Sequence, residues 1–410
     1  MWFYNLCITI YAILIRLVSP FYSKARKWCD GRKGMVERMR DEIGAGEKIA
    51  WVHVASLGDF EQGRPVVDYI KENYPDYKIL LTFFSPSGYE VRKNYKNADY
   101  VFYIPADTKH NVRQFLDVVN PKLAIFVKYE FWLNMLVELH KRKIRTFIVS
   151  AIFRRNSIFF NPFGRIWRKA LHSFETLYVQ DEASKRLLAE IGVERVVVAG
   201  DTRFDRVAAI AECAERVAVV EEFKGESRLF VAGSTWGADE EILLPLINSN
   251  PDIKFVIAPH EMEEERIVHI EREVKGGVVR YTQLPQSGFA DKQVLVVDTI
   301  GLLSRIYGSA DWSYVGGGFG AGIHNTLEPV VYGLPVAFGV KYHKYKEACD
   351  LISLGVAHSV CNAKALQEWF KELQHEDVRA EVNVKAQQYI AKHRGATEMV
   401  VNAIFAKENA

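Results

Sequence analysis

The strongest constraint on the fold is an alternation, from about residue 45 onward, of short apolar runs with amphipathic stretches of helical period. Uninterrupted apolar runs of this length predict parallel strands in sheets that helices cover on both faces. The predicted strands are 49–55, 79–84, 122–127, 146–150, 176–179 and 196–199 in the first half, and 229–232, 254–258, 294–298, 313–315 and 335–338 in the second. The predicted helices include 64–72, 131–143, 182–191, 239–247, 262–274 and 344–354.

This alternation predicts an α/β chain with two doubly wound, Rossmann-like domains that face a cleft. A strand-free stretch from Asp205 to Leu229, predicted as a connecting helix, separates the halves, and Val378 to Ala406 is helical with no later strand. We therefore expect a first domain over 23–205, a nucleotide-binding domain over 206–377, and C-terminal helices over 378–410 that can cross back. Ligands of such folds bind beyond the carboxyl ends of the strands, so residues just after strands are the candidates for function.

Residues 1–22 stand apart, because they are almost continuously apolar and a basic cluster follows at 24–33. A cleaved signal peptide has the opposite charge order. The run is short for a membrane span and Arg16 interrupts it, so the alternatives are a short signal anchor, an interfacial helix, or a buried N-terminal helix. We predict a membrane anchor, with the body of the protein on the cytoplasmic side.

Composition argues against several functional classes. The 410 residues carry a net charge of +2, which gives no basis for nucleic-acid binding. The five cysteines are scattered and lack any CxxC spacing, so neither a disulfide framework nor a zinc site is expected.

Two segments of the first half place polar groups directly after predicted strands. In HVASLGD, residues 53–59, Ser56 and Gly58 allow close backbone approach to an anion, and Asp59 is either a general base or a helix cap. In VKYEFW, residues 127–132, Lys128 and Glu130 either bind an acidic substrate and orient a base, or form an exposed ion pair.

A third segment, GDTRFD at residues 200–205, follows the last predicted strand of the first half. Arg203 would offset the negative charge that develops on a leaving phosphate. The alternative is a salt bridge of Arg203 with Asp201 or Asp205.

The second half offers phosphate-binding features. Ser234 and Thr235 follow a strand and carry hydroxyls suited to phosphate contact, whereas His260, after the next strand, is either a ligand contact or a structural hydrogen-bonding residue. The glycine-rich loop 316–322, which includes Gly317 and Gly318, predicts a backbone that wraps a phosphate; a merely flexible loop is the alternative.

A helix predicted to begin near Asn325 follows the glycine-rich loop. It would place Glu328 one turn in, where its carboxylate can accept hydrogen bonds from ribose hydroxyls. Together with the loop, this carboxylate predicts a site for a nucleotide.

Eight segments together resemble the 3-deoxy-D-manno-octulosonic acid (Kdo) transferases, which are GT-B glycosyltransferases that attach Kdo to lipid A precursor. In chain order they read HVASLGD, FFSPSGYE, IPAD, EFW, GDTRFD, VAGST, VVDTIGLL and GGGFGAGIHNTLEP. The resemblance covers nearly the whole chain. It implies a GT-B fold, CMP-Kdo as the donor, lipid IVA as the phosphorylated lipid acceptor, no metal or other cofactor, and a place at the inner membrane facing the cytoplasm.

The resemblance also implies roles for individual residues. The family's base corresponds to Asp59, and its two groups that support the transition state correspond to Lys128 and Arg203. The contacts to CMP-Kdo correspond to Pro259, His260, Ile300, Gly301, Leu302, Asn325, Thr326, Leu327 and Glu328, and His324 precedes the last of these segments.

Three positions depart from the family pattern. Asp59 replaces a glutamate and is one methylene shorter, and Glu61 is a carboxylate that could compensate. Lys128 stands in place of the first acid of an E-x-E-x-W motif, which leaves Glu130. Pro259-His260-Glu261 replaces P-R-H, so a guanidinium contact to the nucleotide is missing.

We predict an inverting glycosyltransferase that moves Kdo from CMP-Kdo to lipid IVA in lipopolysaccharide synthesis. One alternative is a GT-B enzyme that uses a UDP-sugar, since the glycine-rich loop and Glu328 suit that donor as well. The other is a catalytically weakened, membrane-bound nucleotide-binding relative, for which Asp59 is the main support.

Overall fold

The computed structural model describes residues 1–284, 288–289 and 291–406. The chain forms two compact units, of which the first contains Met1–Arg206 and the segment from Arg394 onward, and the second contains Val207–His393. Each unit is built on one seven-stranded sheet whose neighbouring strands pair in parallel. Each half is therefore a Rossmann-like α/β unit, as the alternation of apolar runs and amphipathic stretches predicts.

The strands of the first unit are β1 (Ile49–Val54), β2 (Lys78–Phe83), β3 (Tyr100–Tyr103), β4 (Leu123–Val127), β5 (Arg145–Ala151), β6 (Thr176–Val179) and β7 (Val196–Val198). Its helices are α1 (Trp2–Val18), α2 (Ser23–Arg32), α3 (Met35–Glu42), α4 (Leu57–Asn73), α5 (Pro86–Arg92), α6 (Lys109–Val119), α7 (Leu133–Lys141), α8 (Arg165–Leu171) and α9 (Glu182–Ala189). Helix α10 (Arg203–Cys213) runs across the boundary between the units.

The second unit contains strands β8 (Arg228–Thr235), β9 (Ile253–Pro259), β10 (Val278–Arg280), β11 (Val294–Val296), β12 (Trp312–Val315), β13 (Val336–Phe338) and β14 (Ala357–Ser359). Its helices are α11 (Ala218–Lys224), α12 (Gly237–Ser249), α13 (Glu264–Glu273), α14 (Leu303–Ile306), α15 (Leu327–Val330), α16 (Lys346–Ser353), α17 (Ala363–Glu372) and α18 (Glu376–His393). The last helix, α19 (Ala396–Ala406), belongs to the first unit.

Both sheets have a position where the strand order reverses. The order is β3-β2-β1-β4-β5-β6-β7 in the first unit and β10-β11-β9-β8-β12-β13-β14 in the second. The chain therefore leaves β1 and β8 in one direction along the sheet and returns beside them with β4 and β12. Loops after these neighbouring strands diverge to opposite faces of the sheet, which opens a crevice where ligands of such folds bind.

The strands missed by sequence analysis are β3, β10 and β14, and all three are edge strands. Each has three or four residues and is only partly buried, so it lacks the continuous apolar run that marks a central strand. The eleven strands that the apolar runs predict are all present, with bounds that differ by at most three residues.

Two helix predictions need correction. The stretch from Asp205 to Leu229 contains two helices, α10 and α11, rather than one connecting helix. Helix α15 begins at Leu327 instead of near Asn325, so Glu328 lies in its first turn. The C-terminal stretch is helical, as predicted, and forms α18 and α19, which are separated at Gly395, a residue with φ of +97° that an L side chain rarely adopts.

Helix α19 packs into the core of the first unit. Val400, Val401, Ile404 and Phe405 are buried there beside residues of β1, β2 and β4. The ring of Phe405 stacks on Tyr74 at a centroid distance of 4.0 Å. The C-terminal helix is therefore a structural part of the N-terminal unit.

Helix α1 lies on the surface of the first unit, and within this fully described helix no residue is buried. This contradicts the alternative of a buried N-terminal helix. Among the described residues no single helix is long and apolar enough to cross a membrane, although the pair α1 and α2, bent by 117°, could do so by length and composition.

Candidate active site

Asp59 and Lys128 meet at the position where the strand order of the first unit reverses. Asp59 lies in the first turn of α4, just after β1, and Lys128 follows β4 directly. Lys128 Nζ lies 3.2 Å from Asp59 Oδ1, and Ser56 Oγ donates a hydrogen bond to Asp59 Oδ2 at 2.7 Å. The pair is partly exposed, with 26% of the Lys128 side chain and 21% of the Asp59 side chain accessible. A carboxylate able to accept a proton therefore sits beside a cation at the expected crevice.

The backbone at Lys128 is strained, since its φ is +64°. A left-handed conformation is uncommon for a residue with a long side chain, and such strain concentrates at functional sites. The conformation ends β4 and brings the ammonium group to Asp59. The alternative of a Lys128–Glu130 ion pair is not what the structure shows, because the carboxylate beside Lys128 is that of Asp59.

Glu130 is held by two residues that sequence analysis did not select as site residues. Its Oε2 accepts a hydrogen bond from Trp132 Nε1 at 2.6 Å and lies 3.0 Å from His53 Nε2. Because an ionised carboxylate only accepts hydrogen bonds, His53 Nε2 carries the proton of this pair. His53 Nδ1 in turn lies 2.9 Å from the Thr82 hydroxyl and 3.1 Å from the Thr82 carbonyl oxygen. Glu130 is thus fixed from within the sheet, by a buried histidine of β1.

Arg203 forms a salt bridge with Asp201, as the structural alternative predicted. Its Nε and Nη2 donate to Asp201 Oδ2 at 2.9 and 2.6 Å. The Asp201 carboxylate also accepts a hydrogen bond from Gln62 Nε2 at 3.1 Å. Asp205 instead accepts hydrogen bonds from the backbone N–H groups of Gly395 and Thr397. The guanidinium at the start of α10 is therefore oriented by a buried aspartate.

Tyr129 lies close enough to Asp59 and Arg203 for the charges of both residues to affect the pKa of its phenol. Burial raises the pKa of the Tyr129 phenol, the charges of Arg154 and Arg203 lower it, and the charge of Asp59 raises it. Glu61, by contrast, pairs with Arg206 and Arg92.

The second unit has an aromatic cluster at its own point of strand reversal. Trp236 follows β8, His260 follows β9, and His324 lies in the loop after β12. Trp236 Nε1 donates to His324 Nε2 at 3.1 Å. The His260 and His324 rings lie 4.2 Å apart, and the Trp236 and His260 rings 4.9 Å apart.

The imidazoles of this cluster are neutral near pH 7. Burial and the nearby His260 lower the pKa of His324 to about 4, and burial lowers that of His260. Since the indole N–H of Trp236 can only donate, His324 Nε2 must be unprotonated and the ring proton lies on Nδ1. The cluster therefore presents flat, uncharged rings and a defined N–H donor. Trp236 is a residue that sequence analysis missed, although it follows the VAGST segment directly.

Glycines in the loop after β12 allow backbone segments to approach closely. A Cβ on Gly316 would lie 2.2 Å from Ser234 O, and one on Gly318 would lie 2.6 Å from the Cα and N of Gly339. Gly317 has a φ of +93°, and its N–H donates to Asp239 Oδ2 at 2.9 Å. The loop is therefore packed and tied down, which contradicts the alternative of a merely flexible loop.

Asp239 is a second residue of this region that sequence analysis missed. It is buried in the first turn of α12, and besides Gly317 N–H it accepts from Tyr314 Oη at 2.8 Å and Trp236 N–H at 2.9 Å. It thereby joins the turn after β8 to the glycine-rich loop. An aspartate four residues after the VAGST segment, at the start of a predicted helix, is a signal that could have identified it.

The remaining predicted contacts fall at or near the carboxyl ends of the second sheet. Ser234 has a φ of +54°, whereas the Thr235 hydroxyl is buried and donates to Glu240 Oε1 at 2.9 Å, so it is engaged in the fold. Pro259 ends β9. Ile300 is 89% exposed and Gly301, with a φ of +96°, turns the chain toward Leu302.

The Asn325–Glu328 segment is ordered by its own side chains. Asn325 Nδ2 donates to Glu328 Oε1 at 3.1 Å, and Asn325 Oδ1 accepts from Leu327 N–H at 3.2 Å. Thr326 is buried. Glu328 is therefore presented at the start of α15, with its carboxylate oriented by Asn325. Over the described residues no cluster of three or more His, Cys, Asp or Glu side chains could hold a metal ion.

Comparisons with known proteins find several Kdo transferases. The family model described as 3-deoxy-D-manno-octulosonic-acid transferase (kdotransferase) matches residues 30–206. The 3-deoxy-D-manno-octulosonic acid transferase of Haemophilus influenzae is 25% identical and covers 86% of this chain and 86% of its own length. The Chlamydophila psittaci protein of the same name is 24% identical over 95% of this chain and 93% of its own length.

A solved structure shows the same fold. The UDP-GlcNAc 2-epimerase of Neisseria meningitidis bound to UDP-GlcNAc matches with a TM-score of 0.63 over 88% of this chain and 100% of that chain, at 14% identity. A likeness at this identity shows the fold alone, a chain with two Rossmann-like sheets. Along most of its length the chain is similar to the 3-deoxy-D-manno-octulosonic acid (Kdo) transferases, which are glycosyltransferases.

Proposed function

We propose that the protein transfers Kdo from CMP-Kdo to lipid IVA with inversion at the anomeric carbon, as a step of lipopolysaccharide synthesis. The observation that carries the proposal is the Asp59–Lys128 pair, which lies at the crevice of the first sheet in a chain similar to this family. A carboxylate at that place suits removal of a proton from an acceptor hydroxyl.

In the proposed reaction Asp59 accepts the proton of an acceptor hydroxyl. That oxygen attacks the anomeric carbon of Kdo, the bond from this carbon to the phosphate oxygen of CMP breaks, and CMP leaves with the electron pair. Attack from the face opposite the leaving group inverts the configuration. Lys128 Nζ, 3.2 Å from Asp59 Oδ1, holds the Asp59 carboxylate in place in the resting state.

Arg203 and Glu130 have supporting roles in this proposal. The Arg203 guanidinium offsets the negative charge that develops on the departing phosphate, and Asp201 keeps it oriented. Glu130, fixed by His53 and Trp132, presents a second carboxylate beside the loop that bears Lys128.

We propose that the second unit holds the nucleotide. The neutral rings of His260 and His324 offer a flat surface, and Glu328, oriented by Asn325, can accept hydrogen bonds from vicinal ribose hydroxyls. The glycine-rich loop, where the lack of side chains permits close backbone approach, is the proposed place of the donor phosphate. Ser234, Pro259 and the exposed Ile300 complete the proposed contacts.

The acceptor is a lipid, and the N-terminus offers a surface suited to a membrane. The outer face of α1 exposes apolar side chains, among them Trp2 at 78% and Phe3 at 71%. Lys24, Arg26 and Lys27 follow it. We infer an interfacial helix at the cytoplasmic face of the inner membrane, where apolar burial and anionic headgroups both stabilise attachment.

The test is incubation of the purified full-length protein with CMP-Kdo and lipid IVA in detergent micelles. We expect CMP release together with a product that is heavier by whole Kdo residues, and proton NMR of the product should show the inverted anomeric configuration. The absence of both CMP and mass gain, under conditions where another Kdo transferase is active, refutes the proposal. Turnover or thermal stabilisation with UDP-sugars, but not with CMP-Kdo, would assign the site to the UDP-sugar alternative.

A further inference from the structure

Helix α1 has a second face, which the proposed membrane role does not use. Residues on this inner face are partly buried against the first unit, and they recur at the three- and four-residue spacing of one helical face. They are Met1, Tyr4, Asn5, Ile8, Ala12, Ile15 and Ser19. Among them, Tyr4 and Asn5 make hydrogen bonds to the body of the unit.

Tyr4 and Asn5 attach α1 to the first turn of α7. Tyr4 Oη donates to Asp107 Oδ2 at 2.6 Å and accepts from Leu133 N–H at 3.4 Å. Asn134 Nδ2 donates to Asn5 Oδ1 at 2.8 Å. Tyr4 also contacts the Trp167 ring edge-on, with centroids 5.8 Å apart.

Asp107 is the centre of this junction. Its buried carboxylate accepts the backbone N–H groups of Asn134 and Met135, each at 2.9 Å. Free N–H groups at a helix start require such acceptors, so Asp107 caps α7. Tyr4 contributes the hydrogen bond that reaches this cap from α1.

The first turn of α7 follows the active-site segment without a break. Glu130, Phe131 and Trp132 immediately precede Leu133, and Trp132 Nε1 donates to Glu130 Oε2 at 2.6 Å. A second route from α1 reaches the same segment, because the Tyr11 ring stacks on Phe84 and Phe84 contacts the Trp132 ring at 4.8 Å.

We propose that Tyr4 is a positioning residue for the transfer reaction: through Asp107 and the first turn of α7, it sets the place of Trp132 and Glu130. On this proposal α1 contacts the membrane through its outer face and positions the active-site segment through its inner face. The inference rests on the proposed function in one respect, namely that Glu130 takes part in the transfer.

The test compares two single-hydroxyl deletions in the full-length protein, Tyr4→Phe and Tyr11→Phe. Both tyrosines lie on α1, and the phenylalanine retains the ring in each case. The positioning role predicts that Tyr4→Phe lowers kcat by about tenfold or more, since displacement of a reacting group by a fraction of an ångström has effects of this order. KM for CMP-Kdo and liposome binding should stay unchanged, and Tyr11→Phe should behave as the parent.

Hydrogen exchange supplies a readout that does not depend on turnover. In Tyr4→Phe the backbone amides of Leu133, Asn134 and Met135 should exchange faster, whereas the rest of the first unit should exchange as in the parent. An unchanged kcat overturns the positioning role, and so does a fall in kcat that is accompanied by faster exchange throughout the unit. If the parent transfers no Kdo, the proposed function fails, and unchanged exchange at the start of α7 then refutes the positioning role separately.

Discussion

Substitution of His324 by Gln tests the charge state of the aromatic cluster in the second unit. Burial and the nearby His260 lower the pKa of His324 to about 4, below the unperturbed value of about 6.5. Between these values the unfolded chain binds a proton at this residue and the folded chain does not, so stability falls as the pH decreases from 6.5 toward 4. A Gln side chain can still accept the hydrogen bond of Trp236 Nε1, but it does not titrate.

The magnitude follows from the same numbers. Between pH 7 and pH 5 the full difference is about 2 kcal/mol, and screening of this partly buried ring by solvent reduces it to about 1 kcal/mol. For a unit of this size about 1 kcal/mol corresponds to a change in melting temperature of about 2–4 °C. The parent should therefore lose about 2–4 °C more than His324→Gln over this range.

Differential scanning fluorimetry of both proteins at half-unit pH steps from 7 to 5 measures this difference. His260 and the carboxylates titrate in both proteins, so the comparison isolates His324. Equal slopes of melting temperature against pH would refute the neutral, buried state that the hydrogen bond from Trp236 implies. So would an imidazole NMR signal of His324 that moves to the protonated form above pH 6.

Three further predictions concern the proposed site and its membrane surface. Gly318→Ala places a Cβ 2.6 Å from the backbone of Gly339. It should therefore lower the free energy of unfolding by about 1–3 kcal/mol and weaken CMP binding in calorimetry. The control is Gly320→Ala, whose Cβ would meet its nearest atom at 3.7 Å, and it should have neither effect. Asp59→Ala should lower kcat by about 100-fold or more, whereas Asp59→Glu should retain activity or raise it; an alanine variant as active as the parent would show that Asp59 is not the base. Leu14→Ser, on the outer face of α1, should reduce liposome flotation several-fold because about 1.5–3 kcal/mol of apolar burial is lost; unchanged flotation would contradict an interfacial role for this face.

The sequence alone determined the fold class and the elements that carry the candidate residues. Continuous apolar runs mark strands buried on both faces, and this signal is local, so all ten interior strands, and the edge strand β7 with its run of three valines, could be predicted. The edge strands β3, β10 and β14 could not, because partial exposure removes the apolar run. The eight motifs likewise identified the family, since each is a short stretch in which residue type and spacing are visible directly.

Tertiary structure decided which of these residues meet. The contact between Lys128 and Asp59 joins residues 69 positions apart, and it exists because β1 and β4 are neighbours in the sheet. The same holds for Trp236 and His324, which follow β8 and β12. Residue order does not specify these pairs, since they depend on strand order and on the direction in which each loop leaves the sheet.

The roles of Glu61, Asp107 and Tyr4 also became visible only in three dimensions. Glu61 looked like a spare carboxylate, but Arg206 and Arg92 engage it. Asp107 ends the IPAD motif and Tyr4 lies in the predicted anchor, and the structure shows that their hydrogen bonds join α1 to the start of α7. The local periodicity of apolar residues indicates which positions are buried. The partner of a polar group depends instead on the packing of distant segments, and that packing exists only in the folded chain.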